Sequence, residues 1–336
     1  MKHINILSMD PYKKFDVQWD QKTYPPTEYD IQFDSTEDIE WDVVAVYENL
    51  HLGTWEGKCR DGGLIYISGE PPKMHPLPRK FTDQFDVFVG PHPQVKHRNK
   101  ILTHGFLNWS LGFGFLSKQK RYTFNSLKDL EIKKTKAISI VTSTKRMMPG
   151  HNLRRNVIAR LKKDFGDKID FFGVGERDVD FKADALLPYY FHICMENCEV
   201  KDYWTEKFSD PVLAHCIPVY CGCPNMKKYF DESGIISFSF TSYKALHKTI
   251  SDILQDPLRE YARYSDGMLV NRDRIMEKEN LIPFLIGKAD ENKSGGQRYV
   301  HIDKLILNPK DFAFMKIRIM RILQKILINS LNLLRK

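Results

Sequence analysis

Residues 189–222 read YYFHICMENCEVKDYWTEKFSDPVLAHCIPVYCG and pass from an apolar block through a polar one to a second apolar block. The pattern predicts a buried strand over 189–197, a helix over 208–216 with Pro211 in its first turn, and another strand over 217–222. The polar residues between the first strand and the helix then lie at the lip of a buried α/β unit. Proteins of this class bind ligands at that edge of the sheet.

The rest of the chain repeats this alternation in two blocks. Short apolar runs that end near Gly or Pro predict further strands, at residues 4–8, 41–49, 63–72 and 85–90 in the first half and at 137–143, 168–173 and 235–240 in the second. Apolar residues at helical spacing predict helices, over 153–165, 243–255 and 257–285. The chain is therefore expected to be an α/β protein whose cleft lies between two domains. Its predicted parts are a first domain (1–116), a lysine-rich linker (117–136), a second domain (137–311) and a tail (312–336).

The bulk composition restricts the class of ligand. The chain has 336 residues and a formal charge of +8, from 51 Lys and Arg against 43 Asp and Glu. This mild excess suits an anionic small molecule or a membrane surface better than nucleic acid. Six irregularly spaced cysteines and the lack of a signal-like or membrane-spanning stretch predict a cytoplasmic protein with reduced thiols and no metal site.

The tail has a pattern of its own. In residues 313–336 a narrow polar stripe recurs every three or four positions and the remaining positions are mostly Ile, Leu and Met; the stripe comprises Arg318, Arg321, Lys325, Asn329 and Asn332. A basic amphipathic helix predicts peripheral contact with anionic lipid, which would place the protein at the inner face of the membrane. A helix packed on the body of the protein or on a partner is the alternative.

The polar block contains groups that suit a nucleotide diphosphate. A helix N-terminus favours negative charge, and Lys207 stands at the predicted start of the helix. The neighbouring Glu206 has two oxygens that can accept hydrogen bonds from sugar or ribose hydroxyls. A solvated helix start with an internal Glu–Lys pair is the alternative, and spacing alone does not choose between them.

Residues 189–238 resemble the donor-binding core of the α-1,3-fucosyltransferases, glycosyltransferase family 10. The resemblance is carried by residues in the family's order and at its spacing, namely Glu196, Asn197, Asp202, Tyr203, Thr205, Glu206, Lys207, Pro218, Val219, Gly222 and Pro224. Weaker matches extend upstream. The helix LRRNVIARL puts Arg154 in the place of the family's phosphate-binding Arg, and ISGEPP puts Glu70 at the position of its catalytic acid. The match is good over 137–242, patchy over 60–105 and absent in the tail.

The resemblance implies a GT-B fold, in which two Rossmann-like domains face each other across a cleft. It also implies GDP-fucose as donor, inversion at the anomeric carbon and a hydroxyl of a glycan as acceptor. No cofactor is required on this view, and a divalent metal acts at most as a stimulant. The N-terminal domain is then expected to bind the acceptor.

The resemblance also distributes roles among the residues. Glu70 is expected to act as the base, with a solvent-exposed turn as the alternative, and Arg154 and Lys207 to neutralise the leaving diphosphate. Arg155 competes with Arg154, which the ungapped match favours. The remaining candidates for the donor are Glu206 and Asn197 for sugar or ribose hydroxyls, Tyr203 beside the nucleotide or in the core, and Glu196 at the donor or as a structural acid bonding loop amides. The candidates for the acceptor are His104, and Trp109 with core packing as its alternative.

Some positions depart from the family pattern. Met195 replaces the usual Phe, Cys198 often aligns with Ser, and IVTSTK replaces the more usual Val-Val-Ser-Asn. These differences leave the donor sugar open. The alternatives are a transferase of the same fold that uses another nucleotide sugar, and a non-catalytic module that binds a glycan or lipid.

Overall fold

The computed structural model describes residues 1–9, 14–72, 77–142, 149–173, 175–292 and 295–306. The predicted tail, residues 312–336, lies outside the described residues. Within those ranges no helix is both long enough and apolar enough to cross a bilayer.

The first half of the chain forms a six-stranded parallel sheet in the order β2-β1-β4-β6-β7-β8. All five residues of β4 are buried, as expected for a central parallel strand covered on both faces. The elements of this half are β1 (Lys2–Ser8), β2 (Tyr29–Phe33), β3 (Glu40–Trp41), β4 (Val43–Tyr47), β5 (Thr54–Arg60), β6 (Leu64–Ile67), α1 (Arg79–Thr82), β7 (Val87–Gly90) and β8 (Lys100–Leu102). The four strands predicted here are confirmed, whereas β2, β5 and β8 were missed.

The second half forms a five-stranded parallel sheet in the order β10-β9-β11-β12-β13. Its elements are α2 (Phe124–Lys128), β9 (Lys136–Thr142), α3 (Pro149–Phe165), β10 (Asp170–Gly173), β11 (Tyr189–Met195), α4 (Glu206–Leu213), β12 (Ile217–Cys221), β13 (Ile236–Ser237), α5 (Tyr243–Gln255) and α6 (Pro257–Glu277). The strand order reverses between β9 and β11, and doubly wound sheets bind ligands outside the carboxyl ends of the strands at such a point. The expectation of two Rossmann-like domains is confirmed.

The chain returns to the first domain before it ends, so the predicted second domain of 137–311 extends too far. The helix predicted over 257–285 is broken after α6, and a new helix follows, α7 (Leu281–Glu291). Asn280 is the N-cap of α7, and its side chain accepts the amide of Ile282 at 3.2 Å. The apolar side of α7 packs on the first sheet, and β14 (Gln297–Asp303) pairs antiparallel with β5. Helix propensity alone favours one continuous helix over 257–285. Burying the apolar side of α7 on the first domain requires the chain to end α6, change direction and start a new capped helix.

The segment predicted as a polar linker, 117–136, is also partly structured. It contains α2, whose Phe124 and Leu127 are buried in the core of the second domain. Two apolar residues three positions apart within a lysine-rich stretch are enough to anchor one helical turn. The second domain therefore draws on residues before 137.

Candidate active site

A cavity of about 600 Å³ opens at the carboxyl ends of β9, β10 and β11. It lies at the point where the strand order of the second sheet reverses. Its walls combine apolar and charged side chains, from Ser110, Phe115, Leu116, Val141, Thr142, Arg154, Gly173, Asp178, Val179, Lys182, His192, Ile193, Cys194, Met195, Asn197, Glu206 and Lys207. Four of the residues predicted for the donor therefore meet in one place, namely Arg154, Asn197, Glu206 and Lys207.

Helix α4 begins at this cavity, two residues earlier than predicted. Thr205 is its N-cap, with its hydroxyl oxygen accepting the amide of Lys207 at 3.2 Å. A Thr cap satisfies one of the free N–H groups at a helix start and favours helix initiation there. Pro211 is consequently the sixth residue of the helix and not part of its first turn. The positive end of the helix dipole faces the cavity together with Lys207.

Glu196 holds this helix start from behind. Its side chain is fully buried, accepts the amide and hydroxyl of Thr205, each at 2.9 Å, and lies 3.4 Å from Nζ of Lys207. Burial raises the pKa of Glu196, and the positive charge of Lys207 opposes that rise. Because Glu196 does not line the cavity, it is the structural acid that the sequence left as an alternative, rather than a group on the donor.

Gly222 makes room for Glu196. A Cβ atom at this position would lie 2.5 Å from Cγ of Glu196 and 2.5 Å from the hydroxyl of Tyr220. Real Cβ atoms essentially never come that close to another heavy atom. The glycine of the motif is thus explained by close packing against the buried acid.

Lys207 and Glu206 form an ion pair and also line the cavity. Nζ of Lys207 lies 3.0 Å from Oε1 of Glu206, and about a quarter of each side chain is exposed. Burial would raise the pKa of Glu206, but the charges of Lys207 and Lys182 outweigh it and lower this pKa to about 2. Burial acts in the opposite sense on Lys207, whose pKa the two nearby carboxylates nevertheless raise. Both groups are therefore charged at neutral pH, and the cation faces the cavity.

Arg154 provides a second cation to the cavity lining. Its guanidinium donates to Oδ1 of Asn197 at 2.8 Å, and only 7% of the residue is exposed. Burial lowers the pKa of Arg154, an effect that the charges of Glu196 and Glu206 oppose. Arg155 is exposed and lies outside the cavity lining. The structure thus separates two neighbours that helix phase alone could not distinguish.

Lys182 is a cavity residue that sequence reasoning missed. Its ammonium donates to the backbone carbonyl of Glu206 at 3.0 Å and to Oδ2 of Asp210 at 2.9 Å. The other oxygen of Asp210 accepts the amide of Ser110 at 2.9 Å. The chain carries no local signal for this group, because Lys182 begins a short 3-10 helix that is remote in sequence from α4. The only sequence feature related to Lys182 is that its two partners, Glu206 and Asp210, lie one helical turn apart on α4.

Glu70, the predicted base, belongs to the first domain. It is half-buried in the loop of residues 68–72, hereafter the Glu70 loop, which follows β6. Burial raises the pKa of Tyr47 in the first domain and of Tyr203 in the second, and the charge of Glu70 adds to both shifts. Glu206 contributes to both shifts as well. Glu70 therefore lies near both Tyr47 and Tyr203, at the boundary between the domains, but it is not among the residues that line the cavity.

Tyr203 packs behind the helix start. Only 3% of the residue is exposed, and it does not line the cavity. Its position corresponds to the core Tyr that the sequence kept as an alternative.

The acceptor role predicted for Trp109 is wrong. The residue is 4% exposed and belongs to the core of the second domain, where its ring stacks on Phe124 at 6.3 Å. A ring without an exposed face cannot stack on a sugar. The sequence signal, an aromatic residue in a Gly-rich run, is shared by core and ligand positions.

The acceptor role predicted for His104 is also wrong. The residue is fully buried, and its ring stacks on Trp204 of the second domain at 4.1 Å. Its Nδ1 accepts the amide of Phe106 at 3.1 Å, so Nε2 carries the proton and donates to Glu279 at 2.9 Å. Burial lowers the pKa of His104, against the opposing effect of Glu279. His104 fixes one domain against the other.

Within the described ranges, no group of three or more His, Cys, Asp or Glu side chains is placed to hold a metal ion. The charged side chains that line the cavity are three cations, Arg154, Lys182 and Lys207, and two acids, Glu206 and Asp178. Metal independence stays a prediction.

Comparisons with known proteins agree with this site. Residues 131–271 match the family described as glycosyltransferase family 10 (fucosyltransferase) C-term. The chain is 33% identical over 117 residues to a fucosyltransferase-like protein of Arabidopsis thaliana, covering 34% of this chain and 20% of that protein. It is 34% identical over 98 residues to alpha-(1,3)-fucosyltransferase B of Drosophila melanogaster, covering 29% of this chain and 22% of that protein. The chain thus matches about a fifth of the length of these curated relatives.

The fold is shared with a solved alpha1,3-fucosyltransferase whose structure contains GDP. The similarity has a TM-score of 0.51 at 16% identity and covers 87% of this chain and 91% of the other. The two parallel sheets and the cleft between them are accordingly those of a GT-B fold. The matched region, 131–271, contains the whole donor-side constellation described above. Over residues 131–271 the chain is therefore similar to glycosyltransferase family 10, the fucosyltransferase family.

Proposed function

We propose that this protein transfers fucose from GDP-fucose to a hydroxyl of a glycan, with inversion at the anomeric carbon. The observation that carries the proposal is the meeting of two cations and a helix N-terminus at one cavity. The carboxylate of Glu70, from the other domain, lies close enough for its charge to act on Tyr203. The names of the relatives, alpha-(1,3)-fucosyltransferase and fucosyltransferase-like protein, support the same reaction. The GDP in the solved relative supports the nucleotide.

The cations act on the leaving group. As the bond between fucose and GDP breaks, negative charge grows on the diphosphate. Arg154 and Lys207 are already held in place, by Asn197 and by Thr205 and Glu206, so they need little reorganisation to bind that charge. Preorganised charges in a partly desolvated site are worth about 3–4 kcal/mol of barrier each.

The carboxylate of Glu70 acts on the acceptor. A general base must lie within hydrogen-bond reach of the hydroxyl that attacks the anomeric carbon. Glu70 belongs to the first domain and its charge acts on Tyr203 of the second, so an acceptor bound to the first domain would present its hydroxyl between Glu70 and the donor. Attack on the face opposite the diphosphate gives inversion.

The remaining features of the proposal concern the surroundings of the reaction. The two cations can neutralise the diphosphate, so we propose that no metal is required and that a divalent ion at most stimulates. The acceptor is proposed to be a lipid-linked or surface glycan, met by the protein in the cytoplasm at the inner face of the membrane through residues 313–336.

The donor sugar is the most open part of the proposal. Met195 and Cys194 line the cavity, whereas Cys198 does not. One of the two motif residues that depart from the family pattern therefore lies where a donor can contact it. Turnover of GDP-fucose beside GDP-mannose would decide which sugar the cavity accepts.

The first experiment is a titration of the protein with GDP, UDP and GDP-fucose. GDP should bind in preference to UDP, and Lys207→Ala should weaken GDP binding about 100-fold, since it removes a charge-assisted contact to the diphosphate. Lys201→Ala, an exposed cation on the loop before α4, is the matched control and should bind as the wild type does. If GDP does not bind, or binds equally to all three proteins, the proposal fails.

A further inference from the structure

A second carboxylate, Glu48, contacts the Glu70 loop. It follows β4 directly, beside the point where the strand order of the first sheet reverses. Its Oε1 accepts the amide of Glu70 at 2.7 Å and the amide of Gly69, and Oγ of Ser68 donates to it at 3.4 Å. Three successive residues of the loop thus converge on one oxygen.

His92, which follows β7, holds the same loop from the other side. It is fully buried, and its Nε2 lies 3.0 Å from the carbonyl oxygen of Glu70 and 3.0 Å from Oγ of Ser68. The backbone of Glu70 is therefore fixed at both its N–H and its C=O, by residues from two different strands. Such double fixation sets the direction in which the Glu70 side chain leaves the loop.

The loop has little room to be held differently. A Cβ atom at Gly69 would lie 2.3 Å from the hydroxyl of Tyr47, and one at Gly105 would lie 2.2 Å from Cα of Gly69. The backbone passes through a gap that only glycine fits. Small changes in the contact with Glu48 would consequently move Glu70.

We propose that Glu48 is a positioning residue for the transfer reaction: its ionised carboxylate holds the amides of Gly69 and Glu70 and thereby aims the Glu70 carboxylate into the cleft. The inference rests on the proposed function, in which Glu70 is the base. It assigns to Glu48 no contact with substrate.

The surroundings of Glu48 make its ionised form costly. Burial raises its pKa to about 7, the charge of Glu70 adds to the shift, and the hydrogen bonds from the loop oppose it. Among the described residues its Oε2 is buried without a hydrogen-bond partner. The other groups that face it are Ser68 and the phenols of Tyr47 and Tyr66, while His92 reaches it through Ser68. A Gln at this position would avoid the free-energy cost of burying a charge. Stability therefore does not explain the carboxylate, and we look for its reason in the reaction.

The test compares Glu48→Gln and Glu48→Ala with wild type in steady-state transfer from GDP-fucose between pH 5.5 and 8.5. Wild-type turnover should rise with pH through an inflection near 7, where Glu48 ionises. In Glu48→Gln that inflection should disappear and kcat should fall about 10-fold, with GDP affinity within about twofold of wild type, because positioning errors act on turnover. Glu48→Ala should fall further. Glu40→Gln, an exposed acid on β3, is the control and should keep the wild-type profile.

A second measurement does not depend on activity. Amide hydrogen exchange of the Glu70 loop should be faster in Glu48→Ala than in wild type, and unchanged in Glu40→Gln. Unchanged exchange in Glu48→Ala, or a wild-type pH profile in Glu48→Gln, overturns the positioning role while leaving the transferase proposal intact. An equal loss of turnover and GDP affinity assigns Glu48 a purely structural role and also overturns it. A wild-type protein that binds GDP but transfers no sugar counts against the proposed function. The exchange measurement then still shows whether Glu48 holds the amides of the Glu70 loop.

Discussion

Replacing Glu48 by Gln should stabilise the folded protein progressively as the pH rises. Burial raises the pKa of this carboxyl from 4.5 to about 7 in the folded chain. The folded state therefore binds a proton at Glu48 more tightly than the unfolded state does. Wild-type stability from this group is fully present below pH 4.5 and is lost as the pH rises through 7, because the unfolded chain releases its proton first.

The magnitude follows from the size of that shift. One pKa unit corresponds to about 1.4 kcal/mol, so the ionised carboxyl costs the folded protein about 3 kcal/mol above pH 8. Gln has almost the same shape, carries no charge and keeps an oxygen for the loop amides. Its weaker acceptor strength lowers stability by a constant amount at every pH. The free energy of unfolding of Glu48→Gln, relative to wild type, should accordingly rise by about 3 kcal/mol between pH 4.5 and pH 8.

The assay is urea unfolding at pH 5, 6, 7 and 8, followed by tryptophan fluorescence. Glu40→Gln, which replaces an exposed acid in the same domain, should give a curve parallel to that of wild type. The reasoning is refuted if the Glu48→Gln and wild-type stabilities remain parallel across this range. It is supported if they diverge only as the pH rises, since a simple loss or gain of packing has no such dependence.

Three further outcomes are expected. Lys207→Met should lower kcat about 100-fold or more, because the leaving diphosphate loses a preorganised charge; a change confined to the KM for the acceptor would contradict this role. Gly222→Ala should destabilise the protein by about 1–3 kcal/mol, since the new methyl group must displace Glu196, and a variant as stable as wild type in thermal unfolding would refute the packing argument. Trp109→Phe should lower stability by about 1–3 kcal/mol through lost core packing, with the KM for the acceptor unchanged. A raised KM for the acceptor would show that Trp109 contacts the acceptor after all.

The donor side of the site could be predicted because its determinants are local in sequence. Asn197, Glu206 and Lys207 stand on one strand-to-helix connection, and any chain that folds as a parallel α/β unit brings such a connection to the edge of the sheet. Arg154 lies on a different helix, and it was predicted from the resemblance of that helix to the family motif. The roles of Glu196 and Tyr203 were left between two alternatives, because sequence spacing does not show which side of a loop is buried.

The return of the chain to the first domain was not predictable in the same way. Residues 257–285 have unbroken helical spacing, and only the apolar surface of the first sheet requires a break before Leu281. The strand β14 pairs with β5, a partner more than 230 residues away in sequence. Propensity is a local quantity, and it does not include the free energy gained by burying a segment on a distant surface.

The sequence by itself determined two α/β domains, because these depend on hydrophobic periodicity. Its short-range spacing also placed Asn197, Glu206 and Lys207 on one strand-to-helix connection. The tertiary structure alone decided that Trp109 and His104 are buried. It also brought Lys182 to the cavity and placed Glu48 and His92 on either side of the Glu70 loop. These contacts join strands and loops that lie 20 or more residues apart, and they exist only where a parallel sheet brings the carboxyl ends of its strands to one edge.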